Sequence, residues 1–217
     1  MARTVVIGGG VIGLLSAYEL RRRHRDVVVV DKGEFGKGAS CGNAGWITPS
    51  LSMPVPAPGL VSQSLKWMLQ PDSPLYVKPS VVPGMLGWLL EFWRHCNEEK
   101  YAQGREALAQ LNRLALRDFD NLAAQGLDFE MHKAGLMYVF VTEKKLKAVW
   151  DDLQYWESYG ASEPKRLSAD EARELEPALR PDIAGAVLVE SERHVRPEKL
   201  LAAVEQWLRE NGVQLRP

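Results

Sequence analysis

A chain of 217 residues is long enough to bury a core and form one or two domains. Its 27 basic and 28 acidic side chains nearly cancel, so nothing favours bulk attraction to nucleic acid or acidic surfaces, and no apolar run reaches the roughly 20 residues of a membrane-spanning helix. Cys41 and Cys96 stand far apart with no Cys-x-x-Cys and no neighbouring histidine pair, which argues against a zinc site or disulfide framework and suits a reducing compartment.

The β-branched run from Thr4 to Gly8 predicts a strand, Val11 to His24 an amphipathic helix, and Val27 to Asp31 a second strand. Ile12, Leu15, Ala17 and Leu20 form the expected inner face of the helix, and the Arg21–Arg25 cluster its solvated end. Between strand and helix lies Gly8-Gly9-Gly10-Val11-Ile12-Gly13, a Gly-x-Gly-x-x-Gly turn. Gly8 permits the sharp exit from the strand, Gly10 has no Cβ to block a pyrophosphate, and Gly13 lets the helix lie close on the strands. The helix N-terminus offers unpaired N–H groups and a positive dipole end to phosphates. Asp31, ending the second strand, supplies a carboxylate to accept hydrogen bonds from an adenosine ribose. Together these features describe a dinucleotide site. A signal peptide is the competing reading, but three glycines at fixed spacing suit a turn and no cleavage pattern follows the arginines. The N-terminus is therefore read as mature and structural.

After Asp31 come Gly33, Gly36, Gly38, Gly42 and Gly45, where a nicotinamide-binding βαβαβ unit would enter its next crossover helix. Such a loop offers backbone N–H groups and close approach to a long, extended cofactor, which favours a flavin dinucleotide over a nicotinamide. Residues 49–83 are proline-rich and read as irregular loops around a short helix at Leu60–Leu69. Residues 84–95 read as a strongly apolar helix. Asn97 caps a long helix whose inner stripe is Leu108, Leu111, Ala115, Phe119 and Leu122, stopped by Gly126. Strands follow at Asp128–His132 and Leu136–Thr142, with Lys133-Ala134-Gly135 as a tight connection. Thr142 caps a helix with the stripe Leu146, Val149, Trp150, Leu153, Trp156, running to Gly160. Ser168-Ala169-Asp170-Glu171 is a capping box opening a short helix that Pro177 ends. Ala184–Glu190 reads as a strand, Pro197 opens a helix that Gly212 closes, and Val213–Leu215 starts a further strand. The scattered histidines, 24, 95, 132 and 194, read as surface or packing residues. The pattern is α/β: a β-α-β start, a mixed insertion and a β-type return, with an unfinished sheet.

Three stretches carry a family resemblance: Val6 to Gly13, Gly38-Ala39-Ser40-Cys41-Gly42-Asn43-Ala44-Gly45, and the Pro54–Pro58 loop. Lys66-Trp67-Met68-Leu69, Ser73-Pro74-Leu75, Glu176-Pro177 and Val195-Arg196-Pro197 add to it. In these the chain resembles the FAD-dependent amine oxidoreductases of the D-amino-acid oxidase superfamily, most closely the bacterial D-amino acid dehydrogenase branch. The resemblance implies a Rossmann-type FAD-binding domain, incomplete here, in residues 1–48 and 194–217, with an inserted mixed α+β substrate domain in 49–193. It further implies that Gly8, Gly10, Val11, Ile12 and Gly13 hold the pyrophosphate and that Asp31 with Lys32 binds the adenosine ribose. Ala39, Ser40, Ala44, Gly45 and Trp46 would line the path to the flavin ring, Ser40 as a donor and Ala44 to Trp46 through backbone. Cys41 is read as a packing residue, because FAD carries the electrons and no partner cysteine is near. Proteins of the family are roughly twice as long, so this sequence is expected to be a fragment of a longer protein.

The implied activity is oxidative deamination of a D-amino acid to a 2-oxo acid and ammonia, with electrons passed to a quinone or respiratory carrier. No catalytic residue and no metal site is assigned. Glycine, sarcosine or D-hydroxyproline are alternative substrates, since related branches share every motif present. A non-catalytic piece that needs a partner chain is the reading from another class. The expected location is the cytoplasm. Val81–Trp93 is expected to be a core helix, with peripheral contact at the cytoplasmic face of the inner membrane as its second reading. Arg105, Arg113 and Arg117 alternate with acidic residues and read as a solvated face.

Overall fold

The computed structural model describes residues 3–61, 64, 82–157 and 163–217. Beyond Leu60, Val61 and Ser64, which are helical, the expected helix at Leu60–Leu69 lies outside the described residues, as do the Lys66–Leu69 and Ser73–Leu75 motifs and the stop at Gly160. The chain divides into two compact units, residues 1–48 with 114–217, and residues 49–113.

The first unit opens with strand β1 (Thr4–Ile7), helix α1 (Val11–Arg22) and strand β2 (Val27–Val30). β1 pairs in parallel with β2, and β2 with the final strand β9 (Gln214–Arg216), giving the order β1-β2-β9. One face of this sheet is covered. Val6, Val27, Val29 and Leu215 pack there against Leu14, Ala17 and Tyr18 of α1 and against Leu200, Leu201, Val204 and Leu208 of helix α7 (Pro197–Glu210). Burial of this apolar surface is the main force holding the layer together, at about 25 cal/mol per Å². On the opposite face Val5 is 54% and Ile7 86% exposed. Ile12 departs from the expected inner face of α1. It is 82% exposed, and Leu14 and Tyr18 take its place, because the buried stripe of α1 is one turn-phase away. The Tyr18 hydroxyl donates to Gln125 Oε1 at 2.9 Å.

Two further three-stranded sheets complete the unit. Strand β3 (Trp46–Ile47) and strand β4 (Met131–His132) each pair antiparallel with β8 (Arg193–Val195), in the order β3-β8-β4. Strand β5 (Leu136–Phe140) and strand β6 (Lys165–Leu167) flank β7 (Gly185–Val189) antiparallel. β4 and β5 therefore belong to different sheets, and Lys133-Ala134-Gly135 is not the turn of a hairpin. Gly135 instead takes φ +75° and donates its N–H to the Glu192 carbonyl at 3.2 Å, which redirects the chain. Helix α5 (Glu143–Glu157) covers one face of the second sheet through Leu146, Leu153, Val187 and Val189, with Val149 and Trp150 beside them. Helix α6 (Ala169–Leu175) covers the other face through Ala172, Ile183 and Ala186. α6 opens with the expected capping box: Ser168 Oγ accepts from the Glu171 N–H, and the Glu171 carboxylate from the Ser168 N–H.

The expected long helix is two helices, α3 (Glu98–Asn112) and α4 (Ala115–Ala124), interrupted at Arg113 and Leu114. Leu111 is 77% exposed, and Ala109 carries the buried position in α3 while Leu122 carries it in α4. Asn97 caps α3, its Oδ1 accepting from the Lys100 N–H at 3.0 Å. The second unit also holds α2 (Val82–His95). Core burial was the expectation for this helix, yet Leu86, Trp88, Leu90 and Trp93 are between 53% and 60% exposed.

Candidate functional site

The glycine turn has backbone reasons for its composition. Gly8 takes φ +106°, a region open to glycine, while its N–H donates to the Val30 carbonyl at 2.8 Å and keeps the turn on the end of β2. A Cβ on Gly13 would stand 1.9 Å from the Gly8 carbonyl oxygen, so only glycine allows α1 to pass this close to the strand. At Gly10 a Cβ would meet Ser40 Oγ at 3.0 Å, in the gap beside the start of the helix. Gly10 is the N-cap of α1 and has no side chain of its own to cap it. The first helical amide, Val11 N–H, donates to Ser40 Oγ at 3.0 Å.

Asp31 sits where the second strand ends, with its carboxylate turned to the glycine turn. Oδ2 accepts from the Gly9 N–H at 2.6 Å and Oδ1 from the Gly33 N–H at 3.0 Å. Those two amides, Gly9 first, hold the Asp31 carboxyl below its ordinary value. Each oxygen keeps a second lone pair for a further donor. Lys32 is exposed beside it.

The loop after Asp31 folds back on the turn. Phe35 is buried against Gly9, where a Cβ would lie 2.1 Å from the Phe35 ring, and the Gly36 N–H donates to the Gly9 carbonyl at 2.8 Å. Asn43 then staples the loop: Nδ2 donates to the Ser40 carbonyl at 2.8 Å and Oδ1 accepts from the Gly45 N–H at 2.7 Å. Gly45, at φ +68°, leaves no room for a Cβ, which would stand 2.0 Å from the Val195 carbonyl oxygen; its own carbonyl accepts from Val195 N–H at 2.9 Å. Ala39 and Ala44 are exposed, and Trp46 begins β3. Val11, Ser40, Asn43, Gly45 and Trp46 help to line a cavity of about 160 Å³.

The expected residues thus fall into two clusters that meet at Ser40: Gly8 to Gly13 with Asp31, and Ser40 to Trp46. Gly9, Phe35 and Asn43 were not anticipated. Gly9 hid as a variable position of the Gly-x-Gly-x-x-Gly pattern, while an asparagine two residues before a glycine is a readable turn signal. Among the described residues no group of three or more His, Cys, Asp or Glu side chains could hold a metal ion.

Comparisons with known proteins give the chain's family. Residues 3–217 match the family described as FAD dependent oxidoreductase. A D-amino acid dehydrogenase of Helicobacter pylori is 30% identical over 214 residues, covering 97% of this chain and 50% of its own length. Another from Vibrio atlanticus is 36% identical over 152 residues, covering 69% of this chain and 36% of its own. Among solved structures, glycine oxidase from Geobacillus kaustophilus aligns with TM-score 0.60 and 23% identity over 99% of this chain and 46% of its own. L-alpha-glycerophosphate oxidase from Mycoplasma pneumoniae with FAD bound aligns with TM-score 0.65 and 19% identity, over 99% and 44%; these structures share the fold. The chain spans about half the length of the curated relatives that it matches end to end. With the glycine turn, the Asp31 carboxylate and the Ser40 loop assembled at one end of a parallel sheet, and a family match running from residue 3 to residue 217, the chain belongs to the FAD dependent oxidoreductase family.

Proposed function

We propose that this chain is the nucleotide-cradling half of a flavoprotein that oxidises D-amino acids to 2-oxo acids and ammonia and passes the electrons to a quinone or another respiratory carrier. The observation that carries the proposal is the start of α1, where the N-cap Gly10 supplies no side chain and leaves a Cβ-free approach, with the Ser40 hydroxyl beside it. Those features fit a bound pyrophosphate. Similarity to D-amino acid dehydrogenases along 97% of the chain supports the substrate class.

When bound, FAD supplies the capacity to accept a hydride equivalent from the substrate Cα. The chain's own residues do the holding. Amides at the start of α1 and the helix dipole receive the phosphates. Ser40 accepts from Val11 N–H through a lone pair, which leaves its hydroxyl proton for a phosphate oxygen. Asp31, with Lys32 beside it, takes the ribose hydroxyls on its remaining lone pairs. Ala39, Ala44, Gly45 and Trp46 border the route toward the flavin ring, chiefly through backbone.

Contact with a membrane surface belongs to the same proposal, because a lipid-soluble quinone is met there. Leu86, Leu90 and Trp93 recur at helical spacing on α2 and all are exposed. No helix among the described residues is long and apolar enough to cross a membrane.

One observation favours a second reading, a non-catalytic piece that works only beside a partner chain. Parallel sheets are ordinarily covered on both faces, yet Val5 and Ile7 are exposed. A single experiment separates the two. The purified chain is incubated with FAD, desalted, and its absorbance recorded. Retained bands near ~370 and ~450 nm are expected. A folded but colourless protein overturns the flavoprotein reading for this chain and leaves the partner-dependent one.

A further inference from the structure

Three rings line up across the β3-β8-β4 sheet. Trp46 and His132 are both register partners of His194, from opposite sides, so the three side chains leave the same face. The opposite face, with Ile47, Val195 and Met131, packs into the core. The His132 and His194 rings stack with centroids 4.7 Å apart and planes 16° from parallel. Trp46 is 59% exposed, His132 is exposed, and His194 is half-buried between them. At the usual strand spacing the row is about 10 Å long. One end rests on the loop that carries Ser40 and Gly45; the other reaches solvent.

The charges around the row are already matched. Lys199 lies 2.5 Å and His132 2.9 Å from Glu130, and those bonds hold the Glu130 carboxyl down to about 2. Arg196 pairs with Glu198 at 2.5 Å, while Lys133 and Arg193 pair with Asp120 at 2.8 and 2.7 Å. A ligand with a free carboxylate finds no unengaged cation among these groups. A neutral, flat, conjugated ring finds the outer face of His132 at the end of the stacked pair to lie on, and the His194 imidazole to donate to its oxygens.

We propose that the outer face of the His132–His194 stack, at the end of this row, is a platform that receives the planar ring of a quinone, a site for the acceptor class in the proposed function, on which this inference rests. A quinone meets both requirements, since it is flat and uncharged and its carbonyl oxygens accept hydrogen bonds.

The test is equilibrium binding of menadione to the FAD-treated 217-residue chain, read by quenching of tryptophan fluorescence, for the wild type, His132→Ala and His132→Phe. Stacking contacts of this kind carry about five-fold or more in affinity. His132→Ala is expected to weaken binding at least that much, and His132→Phe, which keeps the ring, to restore most of it. Flavin content and far-ultraviolet circular dichroism should be the same in all three. Equal binding in all three, or no binding to a chain that retains flavin, overturns the platform. Saturable binding of D-phenylalanine in place of menadione also overturns it and gives the row to the substrate. A colourless chain that still binds menadione through His132 keeps the platform and rejects only the flavin reading.

Discussion

At Gly13 a single hydrogen atom separates a working turn from a clash. An added Cβ meets backbone, the Gly8 carbonyl, at 1.9 Å, and no side-chain rotation relieves it. Gly13→Ala is expected to cost about 1–3 kcal/mol of stability, measured by urea unfolding, and to abolish flavin retention. Asp31 gives a pH signature. Its carboxyl is held below the ordinary 3.8 by the Gly9 and Gly33 amides. A depressed folded-state value means a contribution that is fully present above the unfolded value and lost as pH falls through the folded one. Unfolding midpoints followed downward from pH 6 should therefore begin to fall near pH 4, and Asp31→Asn should flatten that part of the profile. The same variant should weaken FAD binding roughly ten-fold, as for loss of a charged hydrogen-bond partner. These residues were legible because backbone geometry demands glycine at fixed spacing and a carboxylate at a strand end. Phe35 was not, since its role depends on a loop folding back over Gly9, which no local pattern encodes.

Individual elements show where periodic patterns succeed and where they stop. The α5 stripe was readable: Leu146, Leu153 and Trp156 are each at most 2% exposed. Leu153→Ala is accordingly expected to cost 2–5 kcal/mol through the cavity it leaves, whereas Leu111→Ala should change stability by less than about 0.5 kcal/mol; chemical denaturation of both variants checks the contrast. Ser168→Ala should cost about 1 kcal/mol through loss of the cap. The capping box was legible because all its bonds are local. The break between α3 and α4 was not, because apolar residues continue through it with no proline or glycine at the join. Likewise, the strands near Lys133 to Gly135 were identifiable but their partners were not. Periodicity fixes which face of a strand is apolar, while pairing depends on β7 and β8, some 50 residues later.

Across the whole molecule, exposed apolar surface dominates the expected behaviour. Leu86, Leu90 and Trp93 of α2 should carry the chain into the pellet with sedimented phosphatidylglycerol vesicles, and replacing all three by serine should leave it in the supernatant. Full partition to the supernatant by the unaltered chain would remove the membrane contact from the proposed function. The unlike fates of the two histidines illustrate the limit of reading at this scale. His132 and His194 are scattered residues in the sequence, and only the β4–β8 register turns them into a pair.

The meeting of Gly45 with Val195 also sets a timetable. The loop that carries Ser40 and Gly45 is pinned by a backbone hydrogen bond to a residue 150 positions later, and β2 waits still longer for β9. At synthesis rates of about 5–20 residues per second, the Ser40–Gly45 loop leaves the ribosome roughly 7–30 s before its anchor exists. During that interval the valine-rich strands β1 and β2 lack the α7 cover and the β9 partner that they have in the folded chain.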